Sequence, residues 1–110
     1  MRIVRAGGGV LLALGAAFTC GLAARAEEPD AAKIAAGETV YINRCQVCHG
    51  DNLVSTGQTF DLRRLTACDR VRFDGSVRNG KNQMPPWQGV LSDEEIDTVW
   101  HYIRSHAYQP

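Results

Sequence analysis

Three kinds of pattern run along this chain: an uninterrupted apolar stretch, two segments with helical spacing, and irregular polar tracts. The apolar stretch comes first. Arg2 and Arg5 precede a charge-free run from Val10 to Phe18, and Ala24-Arg25-Ala26 follows it. A positive lead, a short apolar core and small residues where a signal peptidase reads predict an export signal, residues 1–26, cleaved after Ala26. An uncleaved anchor is the alternative, but Gly15, Thr19, Cys20 and Gly21 interrupt a stretch already short of the ~20 residues a span needs. Lipidation at Cys20 would require a better context than Ala17-Phe18-Thr19.

Residues 27–110 read as one domain. After a polar lead containing Pro29, the Ala-rich segment 31–44 predicts a helix capped by Asp30, with Ile34, Ala35, Gly37, Tyr41 and Ile42 on one broad face. Residues 50–58 crowd Gly, Asp, Asn, Ser and Thr and predict a loop. The run Phe60 to Leu65 suggests a turn with two leucines pointing inward. Residues 69–79 predict a short helix with Val71, Phe73 and Val77 as core contacts, ended by Asn79-Gly80. Pro85-Pro86 forbids a helix across residues 81–89. The strongest signal is the last: Ser92-Asp93-Glu94-Glu95 is a capping box, and Ile96, Val99, Trp100 and Ile103 follow at helical spacing. Leu91 can staple onto Ile96, and the helix should end near Ser105 or His106. With no strand-like alternation, the predicted fold class is all-α with substantial loop.

Composition narrows the picture in two ways. Three of the 12 basic residues (Arg2, Arg5, Arg25) lie in the leader and none of the 12 acidic ones do, so the mature chain carries a net charge of −3. That mildly acidic balance argues against nucleic acid as a partner and suits docking to a basic patch on another protein. A mature chain of about 84 residues also buries little core and calls for a cofactor or staple. Of four cysteines, Cys20 lies in the leader; Cys45, Cys48 and Cys68 remain. An odd number fits no simple disulfide framework, so two of them are expected to be consumed otherwise.

Cys45-Gln46-Val47-Cys48-His49 explains how. Cysteines three apart on a helical turn present their sulfurs to one side, and Cys-x-x-Cys-His is the attachment pattern of c-type haem. Each thiol adds to one vinyl group, leaving His49 beneath the iron as an axial ligand. A redox dithiol would want a βαβ context, and a zinc site a second close pair of ligands; neither is present in the sequence, and Cys68 and His101 lie at the wrong spacing. Met84 is the only methionine outside the leader and stands in Gly80-Lys81-Asn82-Gln83-Met84-Pro85-Pro86-Trp87. A thioether is a soft neutral ligand that favours ferrous haem, and the prolines stiffen the segment that would carry it. The plain alternative is a core filler. His101 and His106, the competing ligands, read as surface residues. Trp87 can hydrogen-bond a haem propionate or simply pack, and one of Arg63, Arg64, Arg70, Arg72 and Arg78 can pair with a propionate. Cys68 reads as a free, partly buried small residue, with intermolecular disulfide formation or a redox role as the alternative.

With these motifs in place, residues 27–110 resemble a class I cytochrome c. The resemblance rests on Gly37 and Tyr41 in the first helix, Cys45-x-x-Cys48-His49-Gly50, Met84-Pro85, and Trp100 in the last helix. It implies a cytochrome c fold, three to four helices with long loops wrapped around one covalent haem, with His49 proximal and Met84 distal. It also implies a close crossing of the terminal helices, Gly37 facing either Trp100 or Tyr102. Phe60-Asp61-Leu62-Arg63, Phe73, Ser76-Val77 and Met84-Pro85-Pro86-Trp87 are similar to small periplasmic cytochromes that serve quinoprotein alcohol dehydrogenases. The expected function is therefore a periplasmic one-electron carrier rather than an enzyme. It would work between a quinoprotein dehydrogenase and a terminal oxidase or another cytochrome, with no stable membrane span in the mature form. A fixed subunit of a larger oxidoreductase is the alternative; a haem enzyme or ligand sensor would need an open distal site.

Overall fold

The computed structural model describes residues 30–108; the expected leader and its cleavage site lie outside the described residues. Four helices occur in this part: α1 (Ala31–Arg44), α2 (Gln46–His49), α3 (Arg70–Asn79) and α4 (Asp93–Ser105). Short 3-10 turns at Asp51–Leu53, Leu62–Arg64 and Ala67–Asp69 join α2 to α3. No strand is present among the described residues, only isolated bridges such as Lys81 with Met84.

The helix ends follow from local chemistry. The Asp30 carboxylate accepts from the Ala32 and Lys33 amides at 3.0 and 3.2 Å, satisfying two otherwise orphaned donors. At α4 the capping box forms in full: Glu95 N–H donates to Ser92 Oγ (3.1 Å) and Ser92 N–H to Glu95 Oε2 (2.8 Å). A second capping box links Thr66 and Asp69 just ahead of α3. Gly80, at φ 75°, ends α3 in a conformation that costs a residue without Cβ nothing.

The principal packing is α1 against α4, and its closeness depends on Gly37. A Cβ built there would lie 1.9 Å from the Thr98 carbonyl oxygen and 3.0 Å from Tyr102 Cβ. Of the two expected partners, Tyr102 is therefore the one that faces Gly37. Its ring meets that of Tyr41 with centroids 5.3 Å apart. Trp100 turns to α3 instead and packs on Phe73 at 5.1 Å. Tyr41, Tyr102, Leu53, Ile96 and Ile103 are the largest fully buried side chains.

The predicted apolar faces need correction at three places. Ile42 and Ala35 are exposed, because the face of α1 that meets α4 is the narrow Gly37–Tyr41 seam. Val71 is 85% exposed, since the inward stripe of α3 is Phe73 and Val77. Leu53, inside the expected loop, is fully buried. Cys68 also departs from the expected partly buried position: it is exposed.

Candidate functional site

Helix α1 stops at Cys45, whose φ of −114° turns the chain into the single-turn helix α2. The turn is closed by Cys48 N–H and His49 N–H, both donating to the Cys45 carbonyl (3.1 and 2.9 Å). Cys45 and Cys48 thus lie one turn apart, with His49 directly after them. Gly50 follows at φ 90°, where a Cβ would come within 2.0 Å of the Val54 carbonyl oxygen; only glycine lets the chain fold back this tightly.

Two residues outside the motif hold this turn. Tyr41 O–H donates to the Gly50 carbonyl at 2.6 Å in a buried setting, and the backbone of Leu53 bonds the same phenol. Burial, with the neighbouring Cys45 and Tyr102 adding to it, pushes the Tyr41 phenol well above its ordinary range, so it stays a neutral donor. Thr59 O–H donates to the Cys48 carbonyl at 3.0 Å, and Thr59 Oγ1 lies 3.3 Å from His49 Nδ1. The His49 ring also hydrogen-bonds the backbone of Phe60. Burial holds the His49 pKa below its ordinary value against that bond, favouring the neutral imidazole that binds metals.

Cys45, His49 and Met84 line a single cleft, walled by Leu62, Phe73, Val77, Trp87, Leu91, Ile96, Val99 and Ile103. Every expected site residue except Cys48 lines it; Cys48 is exposed on the same turn. Burial, reinforced by Cys48, pushes the Cys45 thiol up to about 11. Met84 reaches the cleft from a tight loop: Lys81 N–H donates to the Met84 carbonyl at 3.1 Å and Met84 N–H to the Lys81 carbonyl at 2.9 Å. Gly80 passes so close beneath that a Cβ would meet the Met84 carbonyl oxygen at 2.6 Å. Trp87 N–H and Gln88 N–H then bond the Val77 and Arg78 carbonyls at 2.8 and 3.3 Å, tying the loop to the end of α3.

The other candidates sit elsewhere. His101 pairs with Asp97 (Nε2 to Oδ2, 3.6 Å), and His106 packs on the Tyr102 ring at 4.7 Å; neither lines the cleft. Arg70 bonds Asp74 and Asp97, and Arg78 bonds Asp93, so these two arginines brace helices. Arg63 stacks over Tyr108 at 4.6 Å, its buried Nε without a hydrogen-bond partner and 3.5 Å from Asp61. Sequence reasoning placed Tyr41 and Gly50 among the marks of the family resemblance without giving them a role at the site, and it missed Thr59. The glycine directly after His49 was the one available signal.

Comparisons with known proteins agree with this geometry. The family profile described as cytochrome c oxidase, cbb3-type, subunit III matches residues 32–103. Cytochrome c6 of Euglena gracilis is 33% identical over 78 residues, covering 64% of this chain and 90% of that protein. Cytochrome c6 of Rippkaea orientalis is 36% identical over 78 residues, covering 66% of this chain and 70% of the other. A solved structure of the quinohemoprotein alcohol dehydrogenase ADHIIG of Pseudomonas putida superimposes with a TM-score of 0.68 at 33% identity, covering 76% of this chain but 12% of the enzyme. The residues present suit the group such relatives imply. Paired thiols on one turn, a neutral imidazole and a thioether meet at an apolar cleft, and every wall residue except Trp87 and the donors themselves is a hydrocarbon side chain. On sequence, fold and cleft alike, the chain belongs to the cytochrome c family, whose cofactor is covalently bound haem c.

Proposed function

We propose that this protein is an exported one-electron carrier in which Cys45 and Cys48 hold haem c through thioether bonds and His49 and Met84 are its axial ligands. The observation that carries the reading is that Met84, 35 positions after His49 in the chain, lines the same apolar cleft. When bound, haem c supplies a ferric/ferrous couple. The chain's part is to tune and insulate that couple. Met84 offers a neutral sulfur, which favours the ferrous form. His49 offers a neutral ring whose orientation is fixed by Thr59 and Phe60. The hydrocarbon walls keep water out, and the packed core around them limits rearrangement between oxidation states. Two protein ligands leave no position for a substrate, which is why the reading is a carrier rather than an enzyme.

Residues 1–26 are read as a signal peptide and 27–110 as the cytochrome c domain, which puts the mature protein in the periplasm. The similarity to a quinohemoprotein alcohol dehydrogenase supports a quinoprotein as electron donor. A terminal oxidase or another cytochrome is the acceptor read with it. Interfaces of this kind are small and transient. A second reading, a cytochrome bound permanently within a larger oxidoreductase, is favoured by the match to an oxidase subunit profile and by the likeness to a domain that is part of an enzyme chain.

The test is to produce the full chain with a haem-attachment system and export it. Intact mass after denaturation should correspond to residues 27–110 plus one haem, and Cys45→Ser together with Cys48→Ser should abolish haem retention. Haem that washes out in acidified organic solvent would contradict the attachment. Stopped-flow mixing with a reduced quinoprotein dehydrogenase should give second-order reduction for a free shuttle. Co-purification at fixed stoichiometry would favour the bound subunit.

A further inference from the structure

Most walls of the cleft belong to α3, α4 or the loop of Met84. Leu62 does not: it stands in the 3-10 turn Leu62–Arg64. The turn closes on itself through Arg64 N–H to the Asp61 carbonyl and Leu65 N–H to the Leu62 carbonyl, both 3.1 Å. The end of the chain then grips it from outside. The Arg104 guanidinium donates to the Leu65 carbonyl. Beyond α4 the chain turns back, and Tyr108 makes three contacts with the same segment. Its N–H donates to the Arg63 carbonyl at 2.9 Å, its O–H donates to Asp61 Oδ2 at 3.0 Å, and its ring lies under the Arg63 guanidinium at 4.6 Å. We propose that residues 104–108 are a strap that keeps the Leu62 wall of the cleft shut, and that its release at Tyr108 sets how fast small ligands enter. The proposal rests on the reading of the cleft as the haem site.

Two loop segments flank the cleft, at Leu62 and at Met84, and they are fastened differently. The Met84 loop is tied by paired backbone bonds within itself and by Trp87 and Gln88 to the end of α3. The Leu62 segment depends on side chains more than 40 positions further along the chain, and the outermost of them, Tyr108, is 58% exposed. Contacts that solvent reaches open at low cost, and segments that move for function are drawn from that end of the stability range. Opening here would uncover Leu62 while α1, α3 and α4 stay packed.

The experiment uses the exported, haem-loaded protein and the variants Tyr108→Phe, Tyr108→Ala and Gly37→Ala. Phenylalanine removes only the bond to Asp61; alanine removes the stacking on Arg63 as well. Two rates are measured: hydrogen exchange of the Arg64 and Leu65 amides, and binding of cyanide to the ferric protein. Both should rise about tenfold in Tyr108→Ala, the effect of one lost hydrogen bond to a carboxylate moderated by exposure. Tyr108→Phe should fall between it and wild type. Gly37→Ala, loosened at the crossing of α1 and α4, should keep the wild-type cyanide rate. A Tyr108→Ala protein that melts earlier but binds cyanide no faster would overturn the proposal, leaving Tyr108 as tail packing. Equal acceleration in Gly37→Ala would overturn it too, since entry would then follow overall stability. A wild type that binds cyanide at once would contradict the Met84 ligation. Amide exchange would then decide the strap by itself: faster in Tyr108→Ala supports it, and unchanged overturns it.

Discussion

Tyr41 shows how much one side chain outside the motif decides. Its ring is fully buried against Tyr102, and its hydroxyl reaches across to the Gly50 carbonyl. It thereby fastens the first helix to the chain just beyond His49. Tyr41→Phe leaves a buried acceptor unsatisfied, which should cost about 1–3 kcal/mol, read as a lower thermal midpoint for the haem-loaded protein. The covalent attachment itself should survive. At this scale the sequence displayed the donors and concealed their supports. Cys45, Cys48, His49 and Met84 are unusual residue types in a recognisable order. Tyr41 and Thr59 act through contacts with residues 9 and 10 positions away, set by how the loop after Gly50 folds back, and no local pattern encodes that return.

At the scale of elements, α1, α3 and α4 were legible because each has a local stop or start signal: Asp30, Gly80 and the Ser92–Glu95 box. Their inward faces were less so. Spacing alone assigns Ile42 and Val71 to the core as readily as Tyr41 and Phe73, since a helix of two or three turns supports more than one apolar stripe. The tertiary partner chooses. For α1 that choice is the Gly37 seam, where the helix backbone meets Thr98 and Tyr102 directly. Gly37→Ala should force α1 and α4 apart, a backbone collision that no side chain can relieve. A loss of at least the ~1–3 kcal/mol of ordinary overpacking is expected, seen as a lower midpoint in chemical denaturation. A midpoint equal to wild type would show that the crossing is looser than the structure has it. Leu53 was missed because its burial follows a 3-10 turn containing two left-handed residues, Asn52 and Leu53 (φ 52° and 64°), which sequence spacing does not announce.

For the molecule as a whole, the three long helices are also tied by charge. Asp97 on α4 accepts from Lys33 of α1 (2.9 Å) and Arg70 of α3 (2.7 Å), with His101 alongside. Partial burial works to raise the Asp97 pKa, but the hydrogen bonds and charges of Arg70 and Lys33 prevail and hold it below its usual 3.8. Asp61 and Asp69 are lowered as well, Asp61 against partial burial and Asp69 chiefly by the Thr66 backbone amide. A carboxylate depressed in the folded state stabilises it above the unfolded pKa, and that contribution fades as pH falls through 3.8 and below. Thermal midpoints should therefore drop over this acid range, and Asp97→Asn should make the drop shallower. Because the Asp97 carboxylate is 28% exposed, salt should weaken the effect without removing it. A pH profile in Asp97→Asn that matches wild type would remove the network from the account.

The central claim is that His49 and Met84 both bind the iron, which makes the protein a carrier with no open position. Exposure of the reduced, haem-loaded protein to carbon monoxide at neutral pH tests it most directly. The visible spectrum of the wild type should stay unchanged, while Met84→Ala should bind carbon monoxide at once. Immediate binding by the wild type, or a Met84→Ala protein that remains as closed as its parent, would contradict the account.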